Sequence, residues 1–128
     1  MPCTVLIVDD ERDTNDILAS LVRGRGFEAI QVYSGAKAFE AIEKAKPDLI
    51  LLDLMMPNMD GWEFRAEQRR NREMTPVPTV ILSADGNVDQ NMEALQADGY
   101  LRKPIHIKTL LQLVERFCGP PPMPQLSA

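Results

Sequence analysis

Residues 49–61 read LILLDLMMPNMDG, and the first four of them decide the architecture. Leu49, Ile50, Leu51 and Leu52 are apolar throughout, with no alternation that would leave one face of a strand in water. A strand buried on both faces belongs in the middle of a parallel sheet with helices on either side. The flanking sequence must then supply further short apolar runs separated by amphipathic helices. Toward the N-terminus, Thr4–Val8 (TVLIV) is β-branched and apolar, and residues 27–32 alternate like a strand. Between them Ile17, Leu18, Leu21 and Val22 recur at helical spacing until Gly24 and Gly26 stop the helix. Ser34 can cap a second helix carrying Ala38, Phe39, Ile42 and Ala45, with Pro47 beyond its end. Toward the C-terminus, Asp60 and Gly61 open a weakly patterned helix around Trp62 and Phe64. Pro76 and Pro78 then introduce an apolar strand at residues 79–82 (TVIL). Val88, Met92 and Leu95 form a helical stripe, and Tyr100 and Leu101 a short fifth strand. The last helix carries Ile107, Leu110, Leu111, Val114 and Phe117 near the i, i+3, i+4, i+7 pattern.

Five strands alternating with five helices predict an α/β fold whose parallel strands are joined by right-handed crossovers. The simplest doubly wound arrangement is the flavodoxin-like strand order 2-1-3-4-5. A length of 128 residues fits one domain. The 14 basic and 19 acidic residues leave a net charge of −5, which argues against non-specific binding to nucleic acid. No apolar run approaches the roughly 18 residues that span a bilayer, and residues 1–4 (MPCT) show no secretory signal. The two cysteines, Cys3 and Cys118, lack any metal-binding spacing and read as plain thiols in a reducing cytosol.

In such sheets the ligand site lies beyond the carboxyl ends of the strands. The residues expected there are Asp9 and Asp10 after strand 1, Asp53 after strand 3, Ser83 after strand 4, and Lys103 with Pro104 after strand 5. Singly, each has a bland explanation as a cap, a turn former or a solvated lysine. Together they place three carboxylates, a hydroxyl and an ammonium on one edge. Clustered carboxylates repel, and a hard divalent cation such as Mg²⁺ relieves the repulsion while keeping several waters. A metal with open positions beside a lysine and a hydroxyl suits a phosphoryl group. No Ser-His or Cys-His pair is evident, and His106 follows Lys103, Pro104 and Ile105 at the start of a helix. Asp53 is left as the candidate nucleophile, forming an aspartyl phosphate.

These strings together resemble the receiver domain of bacterial two-component response regulators. The resemblance rests on VLIVDDE at the first strand, LLDLMMPNMDG around Asp53, ILSA at the fourth strand and GYLRKP before the last helix. It covers residues 4 to about 118, so residues 1–118 are expected to form the receiver domain and residues 119–128, GPPPMPQLSA, a stiff Pro-rich tail or the start of a linker. It implies that Asp53 accepts a phosphoryl group from a kinase phosphohistidine, with Mg²⁺ as cofactor, for which Mn²⁺ can substitute. Asp10 and Asp53 would ligate the metal, joined by the Met55 backbone carbonyl, with Asp9 holding a metal-bound water. Ser83 would hydrogen-bond the phosphoryl group, Lys103 would pair with it, and small Ala84 would leave it room. Tyr100 occupies the switch-aromatic position, and Pro104 permits a cis Lys-Pro bond.

The implied mechanism is a two-state shift, in which Ser83 and Tyr100 move and the surface of the fourth helix, fifth strand and fifth helix changes shape. Expected partners are a histidine kinase or phosphotransfer protein, a C-terminal output domain or protein target, and a second copy through that same face. Neither nucleic acid nor membrane is an expected partner of this domain, and the expected location is the cytoplasm. The domain would be no enzyme beyond catalysing its own phosphorylation and dephosphorylation. The segment between Ser83 and Lys103 is slightly short for the family, which predicts a late or abbreviated fourth helix around residues 85–88. Met55 offers no polar side chain to position an attacking water, and Asp85 could hold or repel one, so the phosphoryl lifetime should be altered. Trp62 most simply packs against its helix, and Met56 and Met59 fill gaps in their loop.

Three other readings stay open on the residues alone. A metal-dependent phosphatase with an Asp nucleophile usually carries that residue on its first strand with a second acid two positions on, unlike Asp53 and Met55. A flavin-binding module would want a phosphate loop where Asp9, Asp10 and Glu11 stand. A phosphorylation-independent pseudo-receiver would keep the fold alone.

Overall fold

The computed structural model describes residues 3–53, 63, 66–68, 77–83 and 97–120. Its elements in chain order are β1 (Thr4–Val8), α1 (Arg12–Gly24), β2 (Glu28–Val32), α2 (Gly35–Ala45), β3 (Leu49–Asp53), β4 (Thr79–Ser83), β5 (Gly99–Arg102) and α3 (Ile107–Cys118). Glu63 and residues 66–68 are helical as well, so the described residues hold parts of four helices. The fifth helix expected around Val88, Met92 and Leu95 lies outside them, as do Trp62 and Phe64. The five strands form one parallel sheet in the order β2-β1-β3-β4-β5, the flavodoxin-like order that the alternation of elements predicts.

Every residue of β3 and β4 is buried, which is why these strands read as apolar on every side. Alternate residues serve two separate cores. Val5, Ile7, Leu49, Leu51, Val80, Leu82 and Leu101 meet Leu18, Ala19 and Val22 of α1 and Leu110 and Val114 of α3. Leu6, Val8, Ile50, Leu52 and Ile81 face the other way, onto Ala38 and Ile42 of α2. Each of the Val, Leu and Ile side chains contributes about 1.5–3 kcal/mol relative to remaining exposed, so the sheet is fixed from both sides.

The helix ends follow local chemistry. Ser34 caps α2 by accepting the Lys37 N–H at 3.3 Å, and Lys46 closes it in the left-handed conformation before Pro47. Gly26, at φ +90°, supplies the positive φ that turns the chain from α1 into β2. The phase of α1 differs from the expected one: its buried residues are Asn15, Leu18, Ala19 and Val22, and Ile17 is largely exposed. The stripe therefore starts on a polar residue, and the apolar Ile17 lies off it. Ile107 is likewise exposed at the start of α3, whose buried face is Leu110, Leu111 and Val114. The fifth strand runs to four residues, longer than the Tyr100 and Leu101 pair expected.

The cysteines also depart from expectation. Cys3 and Cys118 form a disulfide, with their Cα atoms 5.6 Å apart. Their separation of 115 residues in sequence hides the proximity. α3 packs along the same sheet face that β1 presents, which brings its last turn beside the residue preceding β1. No helix among the described residues is long and apolar enough to cross a membrane.

Candidate functional site

The strand register decides which side chains share the carboxyl edge of the sheet. Val8 pairs with Leu52, which sets Asp9 level with Asp53. Asp53 pairs with Leu82, so Ser83 lies one residue further along, and Ser83 pairs with Arg102, so Lys103 lies one further again. Carboxylate oxygens of Asp9, Asp10 and Asp53 all fall within 4.8 Å of one another. Asp9 is fully buried, Asp53 nearly so, and Asp10 half-buried. At an effective dielectric near 20, charges at such separations repel by about 3–4 kcal/mol per pair.

Lys103 partly offsets this repulsion. Its backbone N–H donates to the Ser83 carbonyl at 2.9 Å, and the Lys103–Pro104 peptide is cis. Its Nζ lies 3.1 Å from Asp9 Oδ2, 2.9 Å from Glu11 Oε1 and 3.6 Å from Asp53 Oδ1. Burial pushes the Lys103 ammonium down, but the hydrogen bond to Glu11 and the charges of Asp53 and Asp9 outweigh it and leave its pKa raised. The same hydrogen bond and charge from Lys103 hold the Glu11 carboxyl below its ordinary range. Among the described residues one ammonium thus meets three carboxylates while Asp10 adds a fourth negative charge nearby, and the edge stays negative.

Two residues that the sequence reading left unassigned matter here. Glu11, at the start of α1, is a third partner of Lys103, and its backbone N–H donates to Asp9 Oδ1 at 2.9 Å. Asn15 is fully buried, and its Nδ2 donates to the Asp9 carbonyl at 3.0 Å and the Val32 carbonyl at 2.9 Å, with a longer contact of 3.4 Å to Ile7. It ties the ends of β1 and β2 together where Asp9 emerges. The signal available in sequence was a lone amide heading the buried stripe of Leu18, Ala19 and Val22. Glu11 carried a weaker one, as the third acid of a run in which the first two were assigned.

The donor set suits a hard divalent cation. It consists of carboxylate oxygens, the donors Mg²⁺ prefers, and among the described residues the buried Asp9 Oδ2 has no hydrogen-bond partner, with the Lys103 ammonium 3.1 Å away. Ser83 is buried at the end of β4, within the same edge. Tyr100 is half-buried on β5 and packs against the α2-side core. Asp9, Asp10, Asp53, Ser83 and Lys103 are therefore brought to one edge, with Tyr100 three residues before Lys103. Met55 and Ala84 lie outside the described residues, as do Met56, Met59 and Asp85. Beside Lys103 a groove opens, lined by Glu11, Thr14, Ile17, Leu18, Pro104 and Ile105.

Comparisons with known proteins identify the family of the chain. A family model for the response regulator receiver domain matches residues 5–115. The chain is 34% identical over 122 residues to the phosphate regulon transcriptional regulatory protein PhoB of Pseudomonas aeruginosa, a match covering 91% of the chain and 53% of that protein. The chain thus spans about half the length of this curated relative. Its structure is similar to that of the chemotaxis protein CheY4 of Vibrio cholerae, with a TM-score of 0.84, 28% identity, and 91% of this chain and 99% of that one covered. It is also similar to the receiver domain of the sensor histidine kinase PA1611 of Pseudomonas aeruginosa, with a TM-score of 0.82, 26% identity, and 93% and 99% covered. That structure holds a magnesium ion coordinated in its active-site cleft.

Proposed function

The chain belongs to the response regulator receiver domain family, and from that premise we propose that it is a phosphorylation switch whose acceptor is Asp53. The observation that carries the reading is the meeting of Asp9, Asp10 and Asp53 within 4.8 Å at a strand edge where Lys103 reaches two of them. A carboxylate oxygen of Asp53 attacks the phosphorus of a phosphohistidine. The new O–P bond forms as the N–P bond breaks, and the departing imidazole keeps the electron pair and takes a proton from water. Asp9, Asp10 and Asp53 would hold Mg²⁺, which when bound supplies positive charge to the transferring phosphoryl oxygens. Lys103 exchanges its contact with the Asp53 carboxylate for a phosphoryl oxygen, and Ser83 donates its hydroxyl to another.

The added phosphoryl group brings up to about two negative charges. Drawing Ser83 toward it changes the packing next to Tyr100 on the neighbouring strand, and the face that includes β5 and α3 conveys the change to an output domain or protein partner. The phosphodonor would approach over the groove lined by Thr14, Ile17 and Ile105 beside Lys103. We place this activity in the cytoplasm, where histidine kinases deliver phosphoryl groups. The phosphatase reading is less favoured because the matched family uses the acceptor for its own modification.

The test is intact-protein mass spectrometry after incubation with acetyl phosphate, with and without Mg²⁺, beside Asp53→Asn. A single Mg²⁺-dependent phosphoryl adduct, absent from the variant, is the expected result. An adduct of equal size in Asp53→Asn would remove Asp53 from the role. If no adduct forms in a folded, Mg²⁺-binding protein, and neither beryllofluoride nor a phosphorylated histidine donor perturbs the site, the pseudo-receiver reading replaces this one.

A further inference from the structure

The Cys3–Cys118 bond lies at the opposite end of the sheet from the acidic edge. Cys3 precedes Asp9 by six residues along β1, about 20 Å at an extended rise of roughly 3.3 Å per residue. Both cysteines are half-buried at the rim of the α1- and α3-side core, neither of them enclosed within it. They are the only two cysteines in the sequence. Cys118 is the last residue of α3, after which Gly119 at φ +82° turns the chain away and Pro120 follows. A polar tie near this end joins Arg25 and Glu115 at 3.1 Å. That pair is largely solvated, and such pairs contribute little. The disulfide is therefore the one covalent tie of the last turn of α3, added to the packing of Phe117 against the core, and it holds Cys118 beside the start of β1.

Disulfides in reducing compartments are rare, and those that occur are usually transient or redox-sensing. We propose that Cys3 and Cys118 form a reversible thiol–disulfide site that clasps the end of α3 to the start of β1, independently of phosphorylation at the far edge. Its co-reactant is a low-molecular-weight disulfide of the glutathione class. One cysteine thiolate attacks that disulfide, forming a mixed disulfide and releasing one small thiolate. The second cysteine thiolate then attacks the protein sulfur of the mixed disulfide, forming the Cys3–Cys118 bond and expelling the second small thiolate. Two electrons pass from the cysteine pair to the small disulfide, and the two cysteine protons end on the released thiols. Reduction runs the same exchanges backwards.

The proposal uses the cytoplasmic setting of the receiver reading but not its chemistry, so the two can fail separately. The full chain is equilibrated with graded mixtures of reduced and oxidised glutathione, quenched with a maleimide and weighed intact, while amide exchange is followed along α3. The expected result is a passage from two maleimide adducts to none as the mixture becomes oxidising. The last turn of α3 should lose protection in the reduced form, and Cys118→Ser should show the same loss. The Mg²⁺-dependent phosphoryl adduct should be equal in both forms. Two adducts at every ratio, or none at any ratio, would overturn the proposal, as would unchanged protection of the last turn on reduction. A phosphoryl adduct missing from both forms would count against the receiver chemistry alone.

Discussion

Asn15→Ala is expected to destabilise the domain and loosen its acidic edge in one step. The amide that is lost donates two good hydrogen bonds, at 3.0 Å to the Asp9 carbonyl and 2.9 Å to the Val32 carbonyl, from a fully buried position. The Val32 carbonyl keeps the Asp9 N–H at 3.3 Å, so its loss is that of one bond, about 0.5–1.5 kcal/mol. The Asp9 carbonyl loses its donor where the residue is shielded from water, which costs about 1–3 kcal/mol. A little returns because Asn15 Oδ1, which has no hydrogen-bond partner among the described residues, leaves with the side chain. The net loss is about 1–4 kcal/mol, which at the urea sensitivity of a domain this size lowers the midpoint by on the order of 0.5–2 M. Urea titrations followed by far-UV circular dichroism, with the disulfide intact in both proteins, measure this directly. Because Asn15 holds the backbone of Asp9, Mg²⁺ affinity should also fall by about 10- to 100-fold, as for other residues that orient a metal ligand. Asn15→Asp is near-isosteric, yet it turns a donor into a charged acceptor facing carbonyls and should be worse than alanine. A loss under about 1 kcal/mol, an aspartate milder than alanine, or unchanged Mg²⁺ affinity in a destabilised protein would each refute the reasoning.

Lys103→Met keeps the aliphatic stem but strips the ammonium from between buried Asp9 and Asp53, and should cost the metal-free protein about 3–5 kcal/mol. Mg²⁺ should then raise the melting temperature more in the variant than in the wild type, and equal increments would contradict the charge argument. Glu11 has a depressed folded-state pKa, so its stabilising contribution is present above 4.5 and is lost as the pH falls through the folded value. The stability gap between wild type and Glu11→Gln should accordingly close on acidification through that range. The gap should stay below about 1 kcal/mol because the Glu11 carboxylate is solvated, and one that widens instead would show the sign to be wrong. Reducing the Cys3–Cys118 bond opens a loop of 115 residues. On the chain-entropy model this costs about 4–5 kcal/mol, or roughly 10–20 °C in melting temperature by calorimetry. A shift of only a few degrees would mean that the reduced chain keeps its ends together by other contacts.

The strands were legible because burial on both faces leaves no room for polar residues in Leu49, Ile50, Leu51 and Leu52 or in Val80, Ile81 and Leu82. The site followed from the strands, since the residue ending each one is read directly once the order is known. Asp9, Asp53, Ser83 and Lys103 needed only that step. Asn15 escaped because its role depends on three-dimensional proximity to the carbonyls of Asp9 and Val32, one of them in another strand. Its polarity also disguised the true phase of α1, which the nearby apolar Ile17 then misdirected. The disulfide escaped for a related reason. Nothing local to Cys3 or Cys118 encodes their meeting, which is produced by the packing of α3 across the sheet.

The three contacts of Lys103 show how burial, more than distance, ranks the forces at this edge. The shortest, 2.9 Å to Glu11, ends on a carboxylate that is 61% exposed, where a dielectric near that of water leaves a gross attraction of only about 1–2 kcal/mol. The contact with Asp9 is longer, at 3.1 Å, yet that carboxylate is wholly buried, and at an effective dielectric near 20 the gross attraction is about 5 kcal/mol. Desolvating Asp9 consumes much of that gain. The fold therefore holds Asp9 by other means: the Glu11 N–H on Oδ1 and the Asn15 amide on its carbonyl fix it from two sides. These bonds set its position without cancelling its charge. Asp10 and Asp53 add to the same negative field, and one lysine divided among its neighbours cannot neutralise it. An edge built so rigidly and left so negative is suited to a divalent cation, which would offset most of that charge and present a local positive centre to a phosphoryl oxygen.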